Sequence, residues 1–144
     1  MSTSVQQNPQ GPAWPLGSIA VATPGTPVSI MSLVDPTSVN APETATTTKS
    51  AEYAPRAQSI FFQAYKAGAS HGLTPNTGNL YIIQKGGSGS NNRDDTGSIL
   101  YVLLPGQTWT LDAAALNRNV FNPYLYYLDA DNAADAAQVT LQIQ

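Results

Sequence analysis

From Gln138 to Gln144 the chain reads QVTLQIQ, an alternation of polar and apolar side chains without a fault. A period of two fits a strand with one buried face and no helix. It predicts Val139, Leu141 and Ile143 inward, with the amides and Thr140 outward. The same period recurs along the chain. Ser18–Thr23 places Ile19 and Val21 on one face, and Pro27–Leu33 places Val28 and Ile30 together. Arg56–Lys66 aligns Ile60, Phe62 and Ala64, and Gln107–Asp112 aligns Trp109 with Leu111. Asn79–Lys85 and Ser98–Leu104 are further short β-branched and aromatic runs. Turn signals such as Pro24-Gly25 and Pro105-Gly106 separate them. No stretch sustains an apolar period of 3.6. Some eight short strands predict an all-β fold, an antiparallel β-sandwich, with jelly-roll and immunoglobulin-like Greek-key topologies both compatible.

The remaining segments set the boundaries. Residues 1–16 are polar and carry Pro9, Pro12 and Pro15, which predicts an extended N-terminal arm before a single domain over 17–144. Asp35–Tyr53 reads as a long surface loop, Ala67–Gly78 as a loop with several breakers, and Gly86–Gly97 as a long hairpin tip. Ala113–Asn119 has room for one or two helical turns. Pro123 is expected to confine Val120–Asp129 to an edge or a bulge. With 144 residues, one domain suffices.

Charge narrows the partners. Lys, Arg, Asp and Glu make up 10% of the chain and the net charge is −3, against about 25% charged residues in ordinary domains. The basic residues Lys49, Arg56, Lys66, Lys85, Arg93 and Arg118 are spread out. Nucleic acid, which needs clustered cations, is therefore a poor partner. A weakly charged surface has little electrostatic protection against association, so part of it is expected to be covered by another protein. No apolar run approaches the length of a membrane span, and Met1–Pro15 lacks the pattern of a secretory signal. With no cysteine, disulfides and thiolate chemistry are out of reach.

Catalytic templates fare poorly. His71 is the one histidine and lies among Gly, Ser and Thr, where an exposed loop side chain is expected. Gly86-Gly87-Ser88-Gly89-Ser90 lacks the closing glycine of a nucleophile elbow and the Gly-Lys-Ser/Thr ending of a phosphate loop. Glu43 and Glu52 fall in the long loop, and Asp94-Asp95 in the glycine-rich tip. The group Asp129, Asp131 and Asp135 resembles the opening of a calcium loop, but the central glycine and the closing glutamate are missing. It reads as a polar turn between the last two strands. Phe121, Tyr124, Tyr126 and Tyr127 are dense enough that alternation should turn some outward, toward a sugar or a protein. The expectation is therefore no enzyme, no catalytic residue, no cofactor and no metal.

The second half resembles small virion structural proteins of tailed bacteriophages. The pieces that carry the resemblance are Ile60–Tyr65 (IFFQAY), Asn76–Ile82 (NTGNLYI), Leu103–Asp112 (LLPGQTWTLD) and the aromatic run and alternating tail of Tyr124–Gln144. It spans about 85 residues and leaves out the first 50. It implies a β-sandwich that coats or cements a capsid, or sits on the tail, and it brings no catalytic residues. The expected role is a capsid decoration (cement) protein in the virion, synthesised in the host cytoplasm. Its partners would be the major capsid protein or other virion proteins and copies of itself, with a trimer the expected oligomer. A carbohydrate- or receptor-binding module of a tail or fibre is the second expectation.

Overall fold

The computed structural model describes residues 13–34, 56–84, 99–116 and 120–143. Ten strands fill them: β1 (Ala13–Ala20), β2 (Val28–Ser29), β3 (Ala57–Gln63), β4 (Tyr65–Ala67), β5 (Leu73–Pro75), β6 (Leu80–Gln84), β7 (Ile99–Leu103), β8 (Thr108–Asp112), β9 (Tyr126–Ala130) and β10 (Ala136–Ile143). Two four-stranded sheets pack face to face. Sheet A has the order β1-β10-β3-β8, sheet B the order β2-β9-β6-β7, and β4 and β5 form a small separate hairpin. Every pairing is antiparallel. Among the described residues no helix is long and apolar enough to cross a membrane.

The topology decides between the two sandwich types. Of the eight strands of the two main sheets, taken in chain order, the first pairs with the eighth and the second with the seventh. The third pairs with the sixth and the fourth with the fifth. This nested pairing is one long hairpin rolled up, a jelly roll. An immunoglobulin-like sandwich would place several consecutive strands side by side. Here only β6 and β7 are both consecutive and paired within the main sheets, so that alternative falls.

The core lies where the inward residues of both sheets meet. Ile60, Phe62 and Leu141 of sheet A and Leu80, Ile82 and Leu128 of sheet B are all fully buried. Register fixes the layers: Ile60 sits between Leu141 and Leu111, and Phe62 between Val139 and Trp109. Ile19, Val21, Ala64, Val139 and Leu141 face inward as their alternation requires.

Several expectations are corrected. Strand β1 opens at Ala13 and buries Leu16, so residues 13–16, read as part of an arm, belong to the sandwich. The proline that argued against a ladder, Pro15, sits on an edge strand beside a register shift between Pro15 and Gly17, where a missing N–H is tolerated. The rest of the arm lies outside the described residues, as do the loop from 35 to 53 and the tip from 86 to 97. Pro27–Leu33 holds only two ladder residues. Its chain then turns, Ser32 N–H donating to Ser29 O and Val34 N–H to Met31 O. Pro123 lies in a 3-10 turn capped by the Asn122 side chain, and the strand after it, β9, is an interior one. The proline thus ends before the ladder begins. Trp109 and Ile143 are only partly buried against the core. Trp109 stands on the edge strand β8, and Ile143 follows a register shift at the end of β10. The breaker-rich segment 67–78 holds β5, which pairs back on β4 at the end of the segment read as the Arg56–Lys66 strand; alternation did not reveal strands of three residues.

Candidate interaction surface

Four connections of the jelly roll meet at one end. They are residues 21–27, 64–79, 104–107 and 131–135. Val21 N–H donates to Asp135 O and Ala134 N–H to Val21 O, both at 2.9 Å. Ala64 O accepts from Asn76 N–H at 3.1 Å and from Gly106 N–H at 3.0 Å. The motif Asn76-Thr77-Gly78 is the clasp of this end. Asn76 is buried and pairs with the backbone of Ala136. Asp135, also buried, accepts from Thr77 N–H at 2.9 Å, Gly78 N–H at 2.8 Å and the Thr77 hydroxyl at 3.0 Å. Lys66 Nζ lies 3.4 Å from its Oδ1. Burial pushes the Asp135 pKa up, but these donors together outweigh it and hold the carboxyl below its ordinary value.

That geometry accounts for the acidic turn. Asp129 Oδ1 accepts from Gly25 N–H at 2.9 Å, Asp131 Oδ1 from the Tyr81 hydroxyl at 2.9 Å, and Asp135 from the clasp. The three carboxylates serve three different parts of the chain, and among the described residues no group of three His, Cys, Asp or Glu side chains is placed to hold a metal. The part from Asp131 to Asp135 is the polar turn between β9 and β10 that the sequence predicts, whereas Asp129 lies buried within β9. His71 is exposed in a 3-10 turn, with a positive φ of 65°. Glu43, Glu52, Asp94, Asp95 and Gly86–Ser90 lie outside the described residues.

The aromatic run turns inward rather than outward. Phe121, Tyr126 and Tyr127 are buried, and Tyr124 is half-buried against the core. Phe121 and Tyr126 meet edge to face at 6.0 Å. Because β9 is interior and wholly buried, its alternation carries no exposed tyrosine. Core packing claims Phe121, Tyr124 and Tyr126, while Tyr127 is buried outside that cluster, opposite Ile83.

What remains open is the outer face of sheet A. Register places Ser59, Phe61 and Gln63 of β3 between Gln142, Thr140 and Gln138 of β10 and Asp112, Thr110 and Thr108 of β8. The β3 and β10 members are half-exposed and the β8 members exposed. Of these nine side chains only Asp112 is charged. Phe61 stands at the centre of the block, with Thr140 on one side and Thr110 on the other. Gln138 Nε2 donates to Ser18 Oγ at 2.9 Å and to Tyr65 O at 3.1 Å, which ties the face to β1 and β4. Such a surface offers neutral donors and acceptors around one aromatic ring. It can bond another backbone or a hydroxyl-bearing ligand, and it has no cation for a phosphate.

A second open feature was not legible in the sequence. Tyr101 of β7 and Trp109 of β8 stack with centroids 4.7 Å apart and planes at 6°. The two strands belong to different sheets, and the short turn between them passes from one sheet to the other. Comparison with protein-family models, with curated proteins and with solved structures gives no match for this chain. The fold and its surfaces define a jelly-roll β-sandwich with a neutral sheet face.

Proposed function

We propose that this chain is a non-enzymatic virion structural protein, a capsid decoration (cement) protein that binds an assembled phage shell through the outer face of sheet A. The observation that carries the reading is the block centred on Phe61, in which eight of nine side chains are uncharged. A neutral face of amides and hydroxyls is suited to another protein surface. Repeated over a lattice, individually weak contacts add through multivalency. Jelly rolls build capsid and lectin domains alike, so the fold is compatible with this role by analogy only. Binding the assembled shell in preference to loose subunits stabilises the shell by mass action. The copies on the shell are proposed to be oligomeric, a trimer being the expected form.

The test compares shells with and without the protein for heat-induced rupture at low and at molar salt. A higher rupture temperature is expected, with binding that survives salt because few charges take part. Phe61→Glu, which puts a charge into the middle of the face, should abolish the effect while the isolated protein stays folded. Unchanged rupture overturns the cement role. Binding to a purified polysaccharide with no effect on shells would instead favour a carbohydrate- or receptor-binding module of a tail or fibre.

A further inference from the structure

Three aromatic rings form a column from the core to the surface, on the side where the edge strands β7 and β8 approach each other. Phe62 is fully buried. Trp109 lies against it, with centroids 6.0 Å apart and planes at 23°. Tyr101 stacks in turn on Trp109 and keeps 43% of its surface exposed. Tyr101 is therefore an aromatic surface already held in place, which loses little freedom when a ligand settles on it.

The surroundings select the ligand. From Ile99 through Leu111 the sequence contains no Lys, Arg, His, Asp or Glu. Strands β7 and β8 each end their sheet, so no strand of the described fold takes the backbone N–H and C=O groups along their outer sides. An aromatic face flanked by backbone donors and acceptors, with no formal charge, matches the C–H face and hydroxyl rim of a pyranose. Acidic sugars, nucleotides and phosphates find no cation on the described residues of these two strands.

We propose that Tyr101, supported by Trp109, is a binding platform for a neutral pyranose glycan. This site is separate from the Phe61 face and does not rest on the shell reading. The full chain should bind neutral oligosaccharides on a glycan array, and the best of them is then titrated against a Trp14→Phe background, in which Trp109 is the one remaining tryptophan. Tyr101→Ala should weaken binding by about tenfold or more, the scale of one aromatic contact. Tyr101→Phe, which keeps the ring, should bind nearly as well as the parent. The bound glycan should also shield Trp109 from iodide quenching in the parent, a reading that stands even if Tyr101→Ala does not fold. An array with no neutral glycan bound overturns the proposal, as does equal affinity in a folded Tyr101→Ala, or loss of self-association in place of glycan binding. Shell rupture measured with Tyr101→Ala and Phe61→Glu separates failure of this site from failure of the cement role.

Discussion

The Asn76 side chain pairs with the backbone of Ala136 at both ends of its amide: Nδ2 donates to the Ala136 carbonyl at 2.8 Å, and the Ala136 N–H donates to Oδ1 at 3.0 Å. Ala136 is the first residue of β10 and faces Ala20 of β1 on its other side. The ladder from β3 ends at Gln63 opposite Gln138. Asn76 thus supplies one more rung where no strand is left to supply it. A primary amide suits the task because it carries a donor and an acceptor side by side, as a peptide group does.

Asn76→Ala removes the partners of the buried Ala136 N–H and C=O and should destabilise the domain by about 2–4 kcal/mol, the cost of orphaning a buried donor and acceptor. Asn76→Asp should fail as well, since a carboxylate has no proton for the Ala136 carbonyl. Urea unfolding midpoints of the three proteins decide it. A Asn76→Asp variant as stable as the parent would show that the Ala136 carbonyl is satisfied elsewhere.

Asp135 gives the clasp a pH dependence. Its carboxyl is held below the ordinary value of 3.8, so the unfolded chain takes up the proton first as the pH falls. The contribution to stability is therefore complete well above 3.8 and is lost as the pH drops through and below it. Asp135→Asn should cost about 1.5–3 kcal/mol near neutrality, the worth of charge-assisted hydrogen bonds. The gap between variant and parent should narrow steadily between about pH 5 and pH 2, where aspartate titrates. Unfolding curves across that range should show convergence, and a constant gap would assign the loss to packing instead.

Register in the core is open to a paired test. Leu141 is fully buried between Ile60 and the β1 strand, whereas its neighbour Gln142 is half-exposed on the outer face. Leu141→Ala should cost about 2–5 kcal/mol and Gln142→Ala a few tenths, the difference between leaving a cavity and trimming a surface. Equal losses in calorimetry would mean a strand slipped by one residue.

Strand β1 fixes where the chain can be shortened. Removing residues 1–16 deletes Leu16 from the core and half of the strand that pairs with β10. That truncation should lower the melting temperature well below that of one removing residues 1–12, because buried leucine and ladder bonds are lost together. Identical melting curves would return residues 13–16 to the arm.

Alternation alone established the β class, the inward faces of β3 and β10 and the burial of Leu111 and Leu141, because a strand's two faces repeat with a fixed period wherever the strand lies. It also marked a turn at Asp131–Asp135, since charge and small residues break the apolar period, though Asp129, read as part of it, belongs to β9. It misjudged residues whose environment depends on a neighbour: Pro15 and Pro123, whose tolerance depends on edge position and strand start, and Tyr126 and Tyr127, buried by an interior strand. Which strands neighbour each other was decided by tertiary structure. Asn76 meets Ala136 across 60 residues only because the rolled hairpin brings distant connections together, and Tyr101 meets Trp109 because the short turn between β7 and β8 passes from one sheet to the other. Local periodicity encodes which side of a strand is wet. It contains no information about which strand comes next, and that choice creates the open surfaces of the described fold.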